Sequence, residues 1–176
     1  NTGAICLVMD PTHAAVMDGS MWQAARMPWG LISGGPGRGI YKTTDGGAHW
    51  SNISRNPGLP QGVLGRMGLS IAGSKPDTVY AIIQAKEGGV FRSDNGGKTW
   101  TRTNSDWKLR QRAFYYTAIF ADPTNPKRAY APNVDSLYVT NDGGKVWKTI
   151  DGFPHGDPHI VWINPHHPKI HLEGND

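Results

Sequence analysis

Three ten-residue segments of this chain align without a gap: Tyr41-Lys-Thr-Thr-Asp-Gly-Gly-Ala-His-Trp50, Phe91-Arg-Ser-Asp-Asn-Gly-Gly-Lys-Thr-Trp100 and Tyr138-Val-Thr-Asn-Asp-Gly-Gly-Lys-Val-Trp147. Their closing tryptophans, at positions 50, 100 and 147, are spaced 50 and then 47 residues apart. A repeat of about 40–50 residues is the length of one four-stranded propeller blade. Each copy has the same physical logic. An aromatic and a Ser or Thr end a strand, and an Asp or Asn side chain caps a tight turn by binding its backbone N–H groups. Two glycines supply the positive φ of the turn, and the Trp returns on the next strand.

A second element precedes the boxes: Met9-Asp-Pro-Thr-His13, Gly73-Ser-Lys-Pro-Asp-Thr-Val-Tyr80, Ala121-Asp-Pro-Thr-Asn-Pro-Lys-Arg-Ala-Tyr130 and Ile163-Asn-Pro-His-His-Pro168. In each, an apolar strand runs into a Pro turn. The spacing predicts strands at 4–9, 14–23, 39–43 and 48–53, then 66–72, 78–84, 89–93 and 98–103, then 114–121, 127–132, 136–140 and 145–150. A last pair is expected at 159–164 and 169–173. The fold class is therefore all-β: a β-propeller of four-stranded antiparallel blades, about three and a half of them present. Blades are expected over 1–53 (with a long insertion loop at 26–38), 66–103 and 114–150, with half a blade at 158–176. Composition agrees, since 23 Gly and 13 Pro among 176 residues preclude long helices. No apolar run approaches the roughly 20 residues of a membrane-spanning helix.

The repeats resemble the Asp-box, or bacterial neuraminidase repeat, pattern Ser/Thr-x-Asp-x-Gly-x-x-Trp. The matching positions are Thr43, Asp45, Gly47 and Trp50, then Ser93, Asp94, Asn95, Gly97 and Trp100, and finally Thr140, Asp142, Gly144 and Trp147. The blades are similar to sortilin-type and photosystem-assembly-factor-type propellers of exported bacterial proteins. That resemblance implies an extracellular or periplasmic setting. It is specific for fold and poor for function, because Asp boxes also occur in sialidases and xyloglucanases. Three and a half blades leave two open sheet edges, so the remaining blades are expected in cis or from another subunit.

Alternating strand direction puts the Asp boxes and Pro turns on one rim and the long loops on the other. The boxes are read as structural, since side-chain capping already explains them. The loop rim holds the ligand-binding candidates Arg26, Trp29, Arg38, Arg55, Asp106, Trp107, Arg110, Arg112, His155 and Asp157. Arg and Trp together suit a carboxylate, a peptide or a sugar; the alternative is that these side chains tie blades together. His155, Asp157 and His159 have metal-ligand residue types, but a bent Gly/Pro loop is a poor frame for a metal, and no metal or other cofactor is expected. Ser33–Gly39 reads as a turn for close backbone approach, since a phosphate loop needs a following helix and a Lys-Ser/Thr pair. Cys6 is the sole cysteine and reads as a small buried hydrophobe.

A sialidase would require an Arg triad and a Tyr nucleophile with a Glu partner. The chain has two Glu, Glu87 and Glu173, and neither is placed beside Tyr115-Tyr116. A glycosidase of the ordinary kind needs paired carboxylates, and Asp106, Asp157 and Asp18 fall in separate segments. The expectation is a non-catalytic binding or assembly scaffold with a protein, peptide or carbohydrate ligand. The alternative is part of an Asp-box glycoside hydrolase whose catalytic residues lie partly elsewhere. A net charge of +4 without a basic run argues against nucleic acid.

Overall fold

The computed structural model describes residues 2–150 and 156–175. The first sheet runs in the order β1 (Thr2–Met9), β2 (Met17–Met27), β4 (Gly39–Thr43), β5 (Ser51–Asn52), with β3 (Gly30–Ser33) paired to the far end of β2. The second is β6 (Leu64–Ile71), β7 (Val79–Ala85), β8 (Gly89–Ser93), β9 (Thr101–Asn104). The third is β10 (Phe120–Ala121), β11 (Ala129–Asn133), β12 (Ser136–Thr140), β13 (Lys148–Thr149). β14 (Pro158–Ile163) and β15 (His171–Asn175) form a two-stranded sheet. All pairs are antiparallel, and apart from β2 with β4, which are separated by the β3 hairpin, they join consecutive strands, as propeller blades require.

One expected loop and one expected strand differ. The segment 26–38 is not an open loop: Met27 pairs with Gly30 and Ala24 with Ser33, so β2 and β3 make a hairpin with Pro28-Trp29 at its tip. The expected strand over 114–121 shrinks to β10, and the helical turn α1 (Ala113–Tyr116) takes its first half. Arg112 enters that turn at φ +45, and Thr117 donates its hydroxyl back to the Ala113 carbonyl at 2.5 Å. That geometry turns the chain before it can extend.

Each box closes through its hydroxyl. The Thr43 oxygen accepts from Gly47 N (3.0 Å) and donates to Asp45 (2.7 Å), while Asp45 accepts from His49 N (2.9 Å). Thr140 and Asp142 repeat this with Gly144 and Val146. In the second copy the capping side chain is Asn95, which accepts from Thr99 N at 2.9 Å. Asp94 is not a box cap. It lies one position earlier and binds Arg92 (2.6 Å) and Thr78 (3.1 Å). A backbone bond then fastens every box to its own Pro turn: Gly46 N to Ala15 O, Gly96 N to Asp77 O and Gly143 N to Lys127 O, each 2.9 Å. Boxes and Pro turns thus share a rim.

The Asp45 carboxyl is held down at about 2, first by the His49 amide and then by the Thr43 hydroxyl. Asp142 is lowered by the Val146 amide chiefly. A lowered folded pKa stabilises above the unfolded value near 3.8 and is lost as pH falls toward 2. Acid titration followed by tryptophan fluorescence should therefore show unfolding below about pH 4. Asp45→Asn with Asp142→Asn should flatten that limb by lowering stability at pH 7, where the carboxylates contribute, while changing stability near pH 2 little.

Period-two alternation lets β7 serve two interfaces. Val79, Ala81 and Ile83 pack with Ile40, Leu64, Met67, Leu69 and Trp100 toward the first blade. Tyr80 and Ile82 face the third with Ala129, Ala131, Tyr138 and Trp147. The chain that leaves each fourth strand seals the next box. Asn56 donates to Gly97 O (2.7 Å), Trp100 N to Pro57 O (2.8 Å), and Asn104 to Lys145 O (2.9 Å). Trp100 and Trp147 are accordingly 6% and 4% exposed, whereas Trp50 is 41% exposed. Leu7 is exposed beside Trp50 and Met9 is exposed on the same strand, and at the opposite end Ile160, Trp162 and Leu172 are exposed on the last hairpin. Both ends of the arc are apolar blade faces.

Candidate functional site

The rim opposite the boxes is built from the β2–β3 hairpin and the inter-blade connections. Antiparallel pairing brings Met27 against Gly30, so Pro28 and Trp29 project as a two-residue tip. Trp29 is 83% exposed. Arg26, Met27, Pro28, Gly30 and Leu31 border a groove of about 300 Å³ whose other wall is Phe114 from the connection between the second and third blades. The hairpin that looked like an irregular insertion is thus a platform for an exposed aromatic and a cation.

Several candidate residues serve the scaffold. Arg38 donates to the carbonyls of Gly35 and Gly62, the latter at 2.9 Å, and ties the hairpin exit to the inter-blade segment. Gly34 has φ +112, and a Cβ there would sit 2.6 Å from the Leu64 carbonyl oxygen; the glycine-rich stretch is a close crossing of two backbones. Asp106 accepts from Lys108 N at 3.0 Å and caps the 3-10 turn Trp107–Arg110. Arg110 is buried, donates to the carbonyls of Ser105 and Ala85, and stacks on Trp107 with its carbon 5.4 Å from the ring centroid. Arg55 is exposed and reaches Gln61 at 3.5 Å. Asp18 is off the rim: it is buried in β2 and paired to Lys42 at 3.0 Å.

Arg112, Tyr115, Tyr116, Asp157 and His159 come together although 41 residues separate Tyr116 from Asp157. The Arg112 guanidinium lies 5.7 Å and 5.8 Å from the Tyr115 and Tyr116 ring centroids. The His159 ring stacks on Tyr116 at 5.0 Å and meets Tyr115 edge-on at 4.8 Å. Tyr116 donates its hydroxyl to Asp157, which also pairs with His159 at 3.3 Å. Arg112 and Asp157 are the two non-glycine residues with positive φ among the described residues, at +45 and +67. Strain of this kind persists where surrounding contacts over-determine it.

Burial, followed by donation to Asp157, pushes the Tyr116 phenol up to about 12. It therefore stays protonated at neutral pH and is a poor nucleophile. Asp157 and His159 are absorbed in this stack, and His155 lies outside the described residues. Among the described residues no group of three His, Cys, Asp or Glu side chains is placed to hold a metal ion. Glu87 pairs with Arg102 at 3.3 Å. The rim offers cations and aromatic faces, while its acidic side chains Asp106 and Asp157 are engaged as a cap and in a stack. Tyr115 and His159 join it through tertiary packing, and the only sequence signal was the adjacent pair of tyrosines.

Residues 91–102, the second box with its flanking strands, match the BNR/Asp-box repeat family. The second box is a BNR/Asp-box repeat. The chain is similar to the photosystem II assembly lipoprotein Ycf48 of Synechococcus sp. (strain CC9902), with 33% identity over 115 residues, 65% of this chain and 31% of that protein. It is also similar to a xyloglucanase of Paenibacillus sp, 31% identical over 65% of this chain and 10% of the enzyme. The Asp-box chain thus spans about a third or less of these relatives. In three dimensions it resembles Ycf48 bound to a D1 peptide (TM-score 0.56, 19% identity, 84% of this chain and 40% of that one). It also resembles an ancestral GH74 enzyme (TM-score 0.63, 18% identity, 96% and 23%). These likenesses establish the partial propeller fold. No helix among the described residues is long and apolar enough to cross a membrane.

Proposed function

We propose that this chain is a non-catalytic propeller segment that binds a polypeptide on its loop rim. The observation that carries the reading is Trp29, nearly fully exposed at a hairpin tip beside Arg26 and a groove walled by Phe114. Tryptophan and arginine beside a pre-formed cleft are the side chains that dominate protein interfaces. A rigid two-residue turn presents them with little ordering entropy. The similar Ycf48 structure is one with a bound D1 peptide, which supports a peptide as the ligand class. The lipoprotein relative supports an exported setting. The open apolar faces at Trp50 and at Trp162 suit further blades, in cis or from another subunit.

The similarity to a xyloglucanase favours a second reading, a portion of a glycoside hydrolase. The two readings separate on one assay set. A peptide array read with the wild-type chain should yield binders, and Trp29→Ala should weaken them about 30-fold, the scale of an interface hot spot of 2 kcal/mol. Arg26→Ala should weaken acidic binders most, and neither variant should shift the thermal midpoint appreciably. Saturable xyloglucan oligosaccharide binding with no peptide binding would favour the hydrolase reading instead.

A further inference from the structure

The hairpin of β2 and β3 leaves one strand edge open. Gly34 N donates to Gln23 O at 2.8 Å, and the register then steps through Ala25 with Ile32 to Met27 with Gly30. In an antiparallel ladder such alternate pairs exchange the hydrogen bonds, and the residues between them turn their N–H and C=O groups away from the partner strand. Leu31, opposite Arg26, is one of those residues. β3 pairs with β2 alone, and among the described residues no further main-chain group bonds to the Leu31 amide or carbonyl. Toward Gly34 the edge closes against the Leu64 carbonyl. The open part is therefore Gly30 to Ile32, and Gly30 and Leu31 line the groove whose other wall is Phe114.

An exposed strand edge is a template for another strand, and folded proteins usually blunt it with charge, proline or a bulge. Gly30-Leu31-Ile32-Ser33 carries no charge and no proline, its register is unbroken, and Ile32 is 55% exposed. The groove beside it is cationic through Arg26, and among the described residues no acidic side chain lines it. We propose that β3 takes up an extended peptide segment as the third strand of this hairpin, with main-chain bonds to Leu31 and an acidic side chain directed at Arg26. This mode of docking rests on the peptide-binding reading of the loop rim and specifies how the partner's backbone is held. The strand edge supplies affinity through main-chain hydrogen bonds, and the side chains around it supply selectivity. Apolar residues of the segment lie against Leu31 and Phe114. Four residues of β3 limit the contact to a short stretch of the partner.

The test uses the tightest-binding peptide from the array, copies of it that each carry one N-methylated amide, and the chain variants Leu31→Pro and Leu31→Ala. Proline is tolerated on an edge strand where its missing N–H faces outward, and Leu31→Ala keeps that N–H while trimming the side chain. The amide spectrum of each variant reports folding, and the N-methyl series tests the proposal on the wild-type chain alone. The expected result is a loss of about tenfold at alternate N-methylated positions, the scale of one main-chain hydrogen bond. Leu31→Pro should bind more weakly than Leu31→Ala, and hydrogen exchange at the Leu31 amide should slow in the wild-type complex. Equal affinity across the N-methyl series, or a folded Leu31→Pro chain that binds as well as Leu31→Ala, would overturn strand addition and leave the rim reading standing. An array without binders would overturn both. Protection of the Leu31 amide that grows with chain concentration in the absence of peptide would overturn the peptide as occupant, since a second copy would then be paired with β3.

Discussion

Trp100→Ala is expected to destabilise the chain by about 3–5 kcal/mol, the usual cost of deleting a buried aromatic, whereas Trp50→Ala costs less than half of that. The two residues close equivalent boxes and differ in what covers them. Trp100 is roofed by the Ile53–Pro57 segment of the preceding blade, donates its backbone N–H to the Pro57 carbonyl, and donates its indole N–H to Gly97 O at 3.0 Å. Trp50 has no such roof among the described residues and is 41% exposed. Trp147 is covered like Trp100 and should behave like it. Urea unfolding of the three alanine variants checks the order. Equal losses at positions 50 and 100 would mean that the first blade is covered by something that this arrangement does not contain, such as a second copy of the chain.

Gly58→Ala should cost about 2–4 kcal/mol, combining backbone strain with overpacking. Gly58 adopts φ +92, and a Cβ there would run into the Trp100 carbonyl, which is backbone and cannot swing away. Gly46→Ala is the control. It shares a positive φ of +74 but faces open space, so it should cost only the conformational term, about 1–2 kcal/mol. Both variants are read by thermal unfolding. A Gly58→Ala loss no larger than the control would contradict the tight seating of the inter-blade segment on the next box.

Much of this architecture is legible in the sequence because the repeat is local. Box chemistry acts within eight residues, and the Pro turns cap themselves in the same way: Asp10, Asp122 and Asn164 each accept from backbone N–H groups two and three residues on. The second box shows the limit of motif reading. Asp94 looks like the cap, yet Asn95 occupies the register, and only the alignment with Asp45 and Asp142 separates them. The hairpin in 26–38 was hidden by its Gly and Pro residues, which mark turns without revealing that Ala24–Met27 and Gly30–Ser33 pair. Phe114-Tyr115-Tyr116 has strong strand propensity, but the left-handed Arg112 and the Thr117 hydroxyl bend it into a helical turn.

The rim residues divide along the same line. Arg38, Asp106 and Arg110 bind backbone carbonyls or amides or cap a turn, the bland role that the sequence allowed. Arg26 and Trp29 stay exposed beside a groove, and that difference depends on tertiary placement. Arg112 and Asp157 belong to a stack whose partners, Tyr115, Tyr116 and His159, come from two blades.

The measurement that bears most directly on the loop rim as the binding surface is amide chemical-shift mapping of the labelled chain with the strongest peptide from the array. The expected shifts fall on Arg26–Leu31 and Arg112–Tyr115, with the Asp-box turns at 43–50, 93–100 and 140–147 unmoved. Shifts centred on those turns would contradict the account, since they would place the ligand on the rim that the boxes and Pro turns build.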